Sequence, residues 1–435
     1  IIIKKKITNF KKKISVSGDK SISIRWVLFA SIASGVSRAK NLLISEDVMA
    51  AINIIKKFGI KVVKKKNFFM IFGKGIDGYH YKKNTVINAE NSATLGRLIL
   101  GLVINSTNTI KLIGDKSLSR RDFERVTSPL SKFGAKFKLK KNFSLPLTIC
   151  GSKKIKPIKY YERRGSAQCK SSVMLAAMRA DGTTYIKAKK SRDHTEKMMK
   201  NLKLPISVIK KKNHDIIQIK RVKKIKAMKY NIPSDISSGA FFIVLTALLN
   251  NSQLIIKNVN INPSRIGVIT ILKKMGVSIV FQNKKIYKGE KIADIKVKSS
   301  KLIKPINCPS KLNASAIDEF LVIFLMAAKA NGISYFKGLA ELNKKESPRL
   351  KWGSKILNKM GVKNITTKNS IKIFGNPKLK IDKKIIIKDY LKDHRVFMTS
   401  VIAALSFGGL WKIHDSKAIK TSFPNFLKIV SQLKK

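Results

Sequence analysis

Cysteine and histidine are scarce in this chain of 435 residues. The three cysteines, Cys150, Cys169 and Cys308, lie far apart and form no Cys-x-x-Cys pair. An odd number of separated cysteines argues against a disulfide framework and is typical of buried thiols in a reducing compartment. The five histidines are equally scattered, so no set of metal ligands is visible and we predict no metal site.

Long apolar runs are also missing. The stretch Phe320–Ala328 is among the longest, well short of the roughly 20 residues that a membrane helix needs. The sequence opens with three isoleucines followed by lysines, which is too short an apolar segment for a signal peptide. We therefore expect a soluble cytoplasmic protein that has no membrane partner.

Acidic residues are few: 24 Asp and Glu stand against 91 Lys and Arg, giving a formal net charge of +67. Such a charge favours nucleic acid or an anionic membrane as a partner. However, the lysines are spread over the whole chain, and arginine, the usual reader of base edges, is rare beside lysine. The heavy use of Ile, Lys and Asn indicates drift toward AT-rich codons at exposed positions. We predict no nucleic-acid partner, and a basic nucleic-acid-binding protein stays an alternative.

A small apolar helix with polar residues at its start is predicted six times, about every 70–80 residues, which indicates an internal structural repeat. These helices are apolar on most faces, so they should be buried. They are predicted to begin at Asp19, Asn91, Ser166, Asp235, Ser315 and Asp393.

An amphipathic helix is predicted after each buried one, beginning at Asp47, Phe123, Thr195, Ser264, Arg349 and Phe423. Short β-branched runs between the helices predict strands, for example Thr183–Lys187, Gln253–Lys257 and Ile333–Phe336. Each unit is therefore predicted to run strand, buried helix, strand, amphipathic helix and further strand. The length allows two to three domains, and six units divide naturally into two domains of three.

The stretch Ser17–Arg25, SGDKSISIR, places Lys20, Ser21 and Arg25 at the start of the first buried helix. Free N–H groups and the positive end of the helix dipole favour an anion there. Ser21 and Arg25 are four residues apart and lie on one face. The stretch therefore predicts a phosphate or carboxylate site, although a solvated helix start with two stray cations would look similar.

Arginines recur at two other helix starts, as Arg97 and Arg395. If all the buried helices point their N-termini the same way, these cations converge with those of the first helix. Capping alone needs no arginine, so we predict an anion-binding cleft between two domains. For Ser237 and Ser238, simple capping is the preferred interpretation.

Nine short motifs carry a resemblance to the family of 5-enolpyruvylshikimate 3-phosphate synthase (EPSP synthase), in the family's order and at about its spacing. Gly18–Arg25 resembles the family's GDKSISHR, and Asn91–Arg97 its NAxTxxR loop. The motifs SAQCKS, SRDHTEKM and AIDEF are similar to the branch noted for tolerating glyphosate. The others are GDKSLSRRDFER from Gly114, KESPRL from Lys345, DHR from Asp393 and TSFP from Thr421.

The resemblance implies an α/β (α+β) fold of two similar domains, each built from three βαβαββ repeats as an inverse α/β prism, with the active site in the interdomain cleft. It implies residues 1–18 and 234–435 for domain 1 and residues 19–233 for domain 2. The implied activity is that of a 3-phosphoshikimate 1-carboxyvinyltransferase in chorismate and aromatic amino-acid biosynthesis. The enolpyruvyl group of phosphoenolpyruvate moves to the 5-hydroxyl of shikimate 3-phosphate, and phosphate is released. We expect no cofactor, these two small-molecule substrates as partners, and a monomer.

The resemblance also implies the site residues. Shikimate 3-phosphate is expected to contact Lys20, Ser21, Arg25, Ser166, Ala167, Gln168, Arg192, Asp318 and Lys345. Phosphoenolpyruvate is expected to contact Lys20, Asn91, Ala93, Arg121, Gln168, Glu346, Arg349 and Arg395. Both substrates are polyanions, so a cation-rich site would offset their repulsion.

The chemistry needs a base at the 5-hydroxyl and an acid for the methylene carbon. Asp318 is the expected base, Glu346 the expected acid, and Lys20 the third catalytic group. In the alternative interpretation, Asp318 and Glu319 are a first-turn acidic pair that complements a helix dipole, and Glu346 is a helix-start carboxylate before Arg349.

The sequence departs from the family pattern at Ile24, Asp122, Asn343 and Pro348, which favours relaxed constraint and slow turnover. Lys420 lies one place from a lysine of many members and is given no role. Ala93 stands where glyphosate-sensitive members carry glycine, so we predict poor inhibition by glyphosate.

Two further alternatives accompany this prediction. An enolpyruvyl transferase acting on UDP-N-acetylglucosamine shares the repeat architecture but would carry a reactive cysteine on its arginine-bearing loop, and Arg120 and Arg121 have no cysteine beside them. A degenerate, inactive family member is the other alternative.

Overall fold

A computed structural model describes residues 1–434, in which α-helices alternate with short β-strands. The α-helices are α1 (Lys20–Ser31), α2 (Glu46–Lys57), α3 (Ala93–Leu102), α4 (Glu124–Ser131), α5 (Ala167–Ala177), α6 (His194–Asn201), α7 (Ile236–Leu248), α8 (Gly267–Lys274), α9 (Asn313–Ala316), α10 (Phe320–Ala328), α11 (Arg349–Lys359), α12 (His394–Phe407) and α13 (Phe426–Lys434).

The strands are β1 (Ile2–Ile3), β2 (Lys11–Ile14), β3 (Ser34–Lys40), β4 (Lys61–Lys64), β5 (Phe68–Lys74), β6 (Thr85–Asn88), β7 (Ile110–Ile113), β8 (Lys136–Lys138), β9 (Leu147–Cys150), β10 (Lys159–Glu162), β11 (Thr184–Lys189), β12 (Ile206–Lys210), β13 (His214–Ile219), β14 (Lys229–Asn231), β15 (Gln253–Asn260), β16 (Ile279–Tyr287), β17 (Glu290–Lys298), β18 (Asn307–Cys308), β19 (Ile333–Phe336), β20 (Asn364–Thr366), β21 (Ile371–Phe374), β22 (Lys384–Ile387) and β23 (Leu410–Ile413).

Six small sheets repeat one topology within residues 1–434. In the sheet β10-β11-β13-β12, the first two strands are parallel and the next two pairings are antiparallel. The sheets β6-β7-β9-β8 and β18-β19-β21-β20 follow the same order. In the last repeat β22 and β23 are parallel, and β1 pairs antiparallel with β23 to complete a three-stranded sheet. The predicted βαβαββ repeat is confirmed. In four sheets the parallel pair consists of successive strands joined through a buried helix, namely β6–β7, β10–β11, β18–β19 and β22–β23. In the other two sheets the parallel pairs β3–β14 and β2–β15 join distant parts of the chain.

The chain divides into two compact units. Unit 1 comprises residues 1–17, residues 233–287 and the chain from residue 291 onward, and unit 2 comprises residues 18–232 and 288–290. Each unit contains three of the six sheets. The sheets of unit 1 contain β1, β2 and β15–β23, and those of unit 2 contain β3–β14.

The buried helices form because their sequences are apolar on most faces and a capping residue precedes all but α10. Every residue of α7 is buried. Its N-cap Asp235 accepts a hydrogen bond from Ser237 N at 2.8 Å, and Asp19, the N-cap of α1, accepts one from Ile22 N at 2.9 Å. Such caps satisfy N–H groups that the first helical turn leaves without a partner. Five of the six buried helices begin one or two residues after the predicted positions.

The prediction of a continuous buried helix from Ser315 is wrong. The short helix α9 ends at Ala316, and α10 begins at Phe320. Between them the Glu319 N–H bonds to the Ala316 carbonyl at 2.9 Å, a tighter turn than an α-helix makes. The buried side chain of Glu319 accepts a hydrogen bond from Ser237, a tertiary contact that helical periodicity does not register.

None of the helices within residues 1–434 combines the length and the apolar character that a membrane crossing requires.

Candidate active site

In unit 2 the first two turns of α1 contain three of the predicted residues, Lys20, Ser21 and Arg25. Asp19 caps the helix, so Lys20 and Ser21 occupy its first turn beside free N–H groups. Lys20 Nζ lies 2.9 Å from Asp47 Oδ2, and the side chain of Asp47 is buried. Asp47 therefore orients the lysine, and it is a residue that the sequence prediction missed.

Arg25, one turn further along α1, is held on three sides. Its Nε donates to Thr195 Oγ1 at 2.7 Å, its Nη2 to Ser171 Oγ at 3.0 Å and its Nη1 to the Ser21 carbonyl at 3.0 Å. Thr195 and Ser171 are themselves joined at 2.7 Å. Arg25 is only 3% exposed. A guanidinium fixed in this way is pre-oriented for a carboxylate or phosphate.

Gln168, at the start of α5, is fixed by the start of α3. Arg97 Nη1 donates to Gln168 Oε1, and Gln168 Nε2 donates to Thr94 Oγ1 at 3.0 Å. The Arg97 guanidinium also stacks over the Phe123 ring, 5.6 Å from its centroid. Burial lowers the pKa of Arg97 to about 10, which leaves the side chain charged at neutral pH. These contacts bring the helix starts of α3 and α5 together.

Ser166 and Asn91 are placed by hydrogen bonds to the chain around them. Ser166 caps α5 by accepting from Cys169 N at 3.3 Å, and its own N–H donates to Glu162 Oε2 at 2.9 Å. Asn91 Nδ2 donates to Asp115 Oδ2 at 2.6 Å. Ala167 and Ala93 are the first residues of α5 and α3, and the start of a helix favours an anion. The Ala93 N–H itself donates to the Asn91 carbonyl at 3.1 Å.

Arg121 and Arg192 are half-buried residues in loops of unit 2. Arg121 follows a 3-10 turn over Leu118–Arg120. The neighbouring Asp122 carboxylate pairs with Arg125 Nε at 3.1 Å and with Arg164 Nη1 at 3.4 Å. Burial would raise the pKa of Asp122, but Arg125 outweighs burial and lowers it. Asp122, which departs from the family pattern, is therefore paired with Arg125 and Arg164.

In unit 1, Arg349 is surrounded by carboxylates. Its Nε lies 2.9 Å from Asp393 Oδ2, its Nη1 lies 3.3 Å from Asp318 Oδ1, and its Nη2 donates to Glu346 Oε2. Burial would lower the pKa of Arg349, but Asp393, Glu346 and Asp318 raise it above its ordinary value. The same attraction lowers the pKa of Asp393, against the effect of its burial. Arg349 therefore gathers the two predicted catalytic carboxylates around one cation.

Asp318 also receives a second cation, because Lys345 Nζ lies 3.1 Å from the same Oδ1 atom. Arg395, at the start of α12, completes this group of residues in the same unit. Its backbone N–H donates to Asp393 Oδ1 at 2.9 Å, and its guanidinium lies over the Phe241 ring. Unit 1 thus holds the predicted base Asp318 and the predicted acid Glu346, together with the cations Lys345 and Arg349.

Within each unit several of the predicted residues therefore lie at or near helix starts, whereas Arg121 and Arg192 lie in loops. The sequence prediction missed the buried side chains that hold Lys20, Arg25 and Arg349, which are Asp47, Ser171, Thr195 and Asp393. Lys420 is exposed, at the end of a 3-10 turn over Ser416–Thr421. The described residues include no group of three His, Cys, Asp or Glu side chains that could hold a metal ion.

Solved structures share this fold. The chain superposes on EPSP synthase from Acinetobacter baumannii with a TM-score of 0.87 at 33% identity, covering 99% of this chain and 97% of that one. The enolpyruvyl transferase NikO from Streptomyces tendae matches with a TM-score of 0.76 at 13% identity, covering 99% and 96% of the two chains. At that identity the second match shows the fold alone. The chain therefore belongs to the structural class of the solved EPSP synthases, and it shares its fold alone with NikO.

The sequence comparisons identify one family within that fold. The family model of EPSP synthase (3-phosphoshikimate 1-carboxyvinyltransferase) matches residues 4–430. The 3-phosphoshikimate 1-carboxyvinyltransferase of Thermoanaerobacter sp. (strain X514) is 38% identical over 430 residues, covering 99% of both chains. That of Ruthia magnifica is 38% identical over 421 residues, covering 97% of this chain and 94% of its own. The chain belongs to the EPSP synthase family, and the resemblance carried by the nine motifs is confirmed.

Proposed function

We propose that this chain catalyses the reaction of its family, the transfer of the enolpyruvyl group of phosphoenolpyruvate to the 5-hydroxyl of shikimate 3-phosphate. The products are 5-enolpyruvylshikimate 3-phosphate and phosphate, on the route to chorismate and aromatic amino acids. The observation that carries the proposal is the cluster in which Arg349 holds Asp318 and Glu346 together. It unites an acid, a base and an anion-binding cation within one unit.

Shikimate 3-phosphate binding is assigned to both units. In unit 2, Arg25 takes the carboxylate, while Ser166, the Ala167 amide, Gln168 and Arg192 surround the phosphate. In unit 1, Asp318 and Lys345 contact the ring hydroxyls. The prior fixing of Arg25 by Thr195 and Ser171 supports its part, because an oriented guanidinium loses little freedom when it binds a carboxylate.

Phosphoenolpyruvate binding is assigned mainly to arginines. Arg121, Arg349 and Arg395 receive its carboxylate and phosphate, and Lys20 contacts both substrates. The amides near Asn91 and Ala93 add N–H donors at the start of α3. Gln168 contacts this substrate as well, and the hydrogen bonds from Arg97 and to Thr94 set the orientation of its amide.

The chemistry proceeds through a tetrahedral adduct. Asp318 removes the proton of the 5-hydroxyl as that oxygen attacks C2 of phosphoenolpyruvate, and Glu346 delivers a proton to the C3 methylene carbon, which becomes a methyl group. The C2–O bond to phosphate then breaks as the methyl group returns a proton to a carboxylate. Lys20 stabilises the negative charge that accumulates during both steps.

The placement of the two half-sites is part of this proposal. We place the reaction in the cleft between a domain of residues 19–233 and a domain of residues 1–18 and 234–435, in a monomeric cytoplasmic enzyme. The division of contacts into two compact units supports separate domains. Residues 19–233 expressed alone should show their own cooperative unfolding transition, and an unfolded fragment would count against this domain assignment.

A phosphate-release assay tests the function. Phosphate should appear only when phosphoenolpyruvate and shikimate 3-phosphate are both present, and replacing the latter with UDP-N-acetylglucosamine should give none. Asp318→Ala should abolish turnover while shikimate 3-phosphate still binds in calorimetry. Asp382→Ala, which removes an exposed carboxylate of unit 1, is the control. Near-normal turnover of Asp318→Ala would remove Asp318 from the mechanism.

A further inference from the structure

Glu319, to which the proposed reaction gives no role, lies in a buried polar cluster of unit 1. Its side chain has no exposed surface, and Ser237 Oγ donates a hydrogen bond to its Oε1 atom. Arg265 Nη2 donates to the same Ser237 Oγ at 2.7 Å and to Asp235 Oδ1 at 3.1 Å. On the other side, Arg395 Nη1 lies 3.5 Å from Glu319 Oε1. The cluster therefore runs from the cap of α7 to the start of α12.

A fully buried carboxylate is expensive to keep in a protein interior unless other groups compensate its charge. For Glu319 the compensation comes from Ser237 and from the charge of Arg395. The chain also leaves its helix here, because α9 ends at Ala316 and α10 begins at Phe320. A carboxylate retained at this cost, in a broken helix, indicates a role beyond packing.

Arg395 is short of hydrogen-bond acceptors among residues 1–434. Its Nε and Nη1 atoms are buried and make no hydrogen bond there, since the contact to Glu319 is an ion pair at 3.5 Å. Its guanidinium carbon lies 5.7 Å from the centroid of the Phe241 ring. The carboxylate and the ring face thus restrict the guanidinium from two directions, while its donors stay available for an oxyanion.

We propose that Glu319 is a positioning residue for Arg395, holding its guanidinium in the orientation that receives the phosphoenolpyruvate anion. This inference rests on the proposed function. Glu319 directly follows Asp318, so the same non-helical turn carries the proposed base and the partner of the phosphoenolpyruvate-binding arginine. Ser237 and Arg265 fix that turn from α7 and the segment before α8.

The test is steady-state kinetics of Glu319→Gln. The amide oxygen can still accept from Ser237, but the charge that faces Arg395 is gone. We expect the KM for phosphoenolpyruvate to rise about tenfold, equivalent to about 1.4 kcal/mol, while the KM for shikimate 3-phosphate stays within about twofold. Asp294→Asn is the matched control, because it neutralises another buried carboxylate of unit 1, one that pairs with Lys257, and it should change neither constant.

Two further variants keep the inference falsifiable if Glu319→Gln folds poorly. Ser237→Ala retains the charge of Glu319 but removes the hydrogen bond that holds its carboxylate. It should raise the KM for phosphoenolpyruvate by a smaller factor. In an Arg395→Met background, adding Glu319→Gln should leave that KM unchanged. An unchanged or lower KM in Glu319→Gln, or equal changes in both KM values, would overturn the positioning role. Absence of phosphate release by the unmutated chain would instead refute the proposed function.

Discussion

Asp393 is the carboxylate on which Arg349 most depends, and Asp393→Asn tests that dependence. Its Oδ2 accepts from Arg349 Nε at 2.9 Å and from Ser347 Oγ at 2.9 Å, and its Oδ1 accepts from Arg395 N at 2.9 Å. Asparagine keeps one oxygen to cap α12. It replaces the other with an NH2 group that faces donors, so the substitution removes the charge and leaves the cap.

The expected loss is large because both partners are buried: the side-chain exposures of Arg349 and Asp393 are 2% and 0%. Removing one partner of a buried ion pair costs about 3–5 kcal/mol. For a domain of about 200 residues, each 1 kcal/mol shifts Tm by about 2–4 °C. The transition of unit 1 should therefore fall by about 6–20 °C at neutral pH.

The pH dependence has a definite sign. Burial would raise the pKa of Asp393, but Arg349 outweighs it, so the folded pKa lies below the ordinary value of 3.8. The stabilisation is complete above that ordinary value and disappears as the pH falls through the lowered folded pKa. The gap in Tm between the unmutated chain and Asp393→Asn should narrow only in strong acid.

Calorimetry or circular dichroism at several pH values measures these shifts, and a double-mutant cycle with Arg349→Met isolates the pair. Asp393→Asn should cost much less when Arg349 is already absent. A Tm at pH 7 that stays within about 2 °C of the unmutated chain, or an equal loss in both backgrounds, would refute the reasoning, because about 3 kcal/mol is the least that a broken buried pair costs.

Two other predictions concern substrate recognition. Glyphosate should inhibit weakly, with a Ki above the KM for phosphoenolpyruvate, because the Ala93 methyl crowds a longer ligand; Ala93→Gly should lower that Ki about 10- to 200-fold, and a Ki of the unmutated chain far below the KM would contradict this. Thr195→Val keeps the side-chain shape but removes the acceptor of Arg25 Nε, and should raise the KM for shikimate 3-phosphate about five- to tenfold, the value of one hydrogen bond. An unchanged KM in Thr195→Val would show that Ser171 and the Ser21 carbonyl suffice to orient Arg25.

The sequence was sufficient for the buried helices because their signals are local. Asp19 and Asp235 precede runs that are apolar on most faces, and both cap the helices that follow. The break before Phe320 is different. The apolar pattern continues through it, and the contact of Glu319 with Ser237, 82 residues away in sequence, has no local sequence pattern.

The residues of the candidate site also fall into two groups, those that local motifs predict and those that only the fold brings into place. Residues that meet a substrate, such as Arg25 and Arg349, stand in motifs and could be predicted from them. The residues that orient those arginines come from distant segments: Thr195 is 170 positions from Arg25, and Asp393 is 44 from Arg349. At the start of a helix, an acidic residue such as Asp47 is equally consistent with a favourable helix dipole, so its pairing with Lys20 needed the fold.

The pairing of β1 with β23 has a consequence for biosynthesis. Ile2 and Ile3 lie opposite Lys412 and Trp411, so β1 leaves the ribosome long before β23, the strand with which it pairs, has been made. The intervening residues 18–232, nearly all of unit 2, emerge without interruption and can fold while synthesis continues. Unit 2 can then complete its fold before unit 1. During that interval β1 has no strand to pair with.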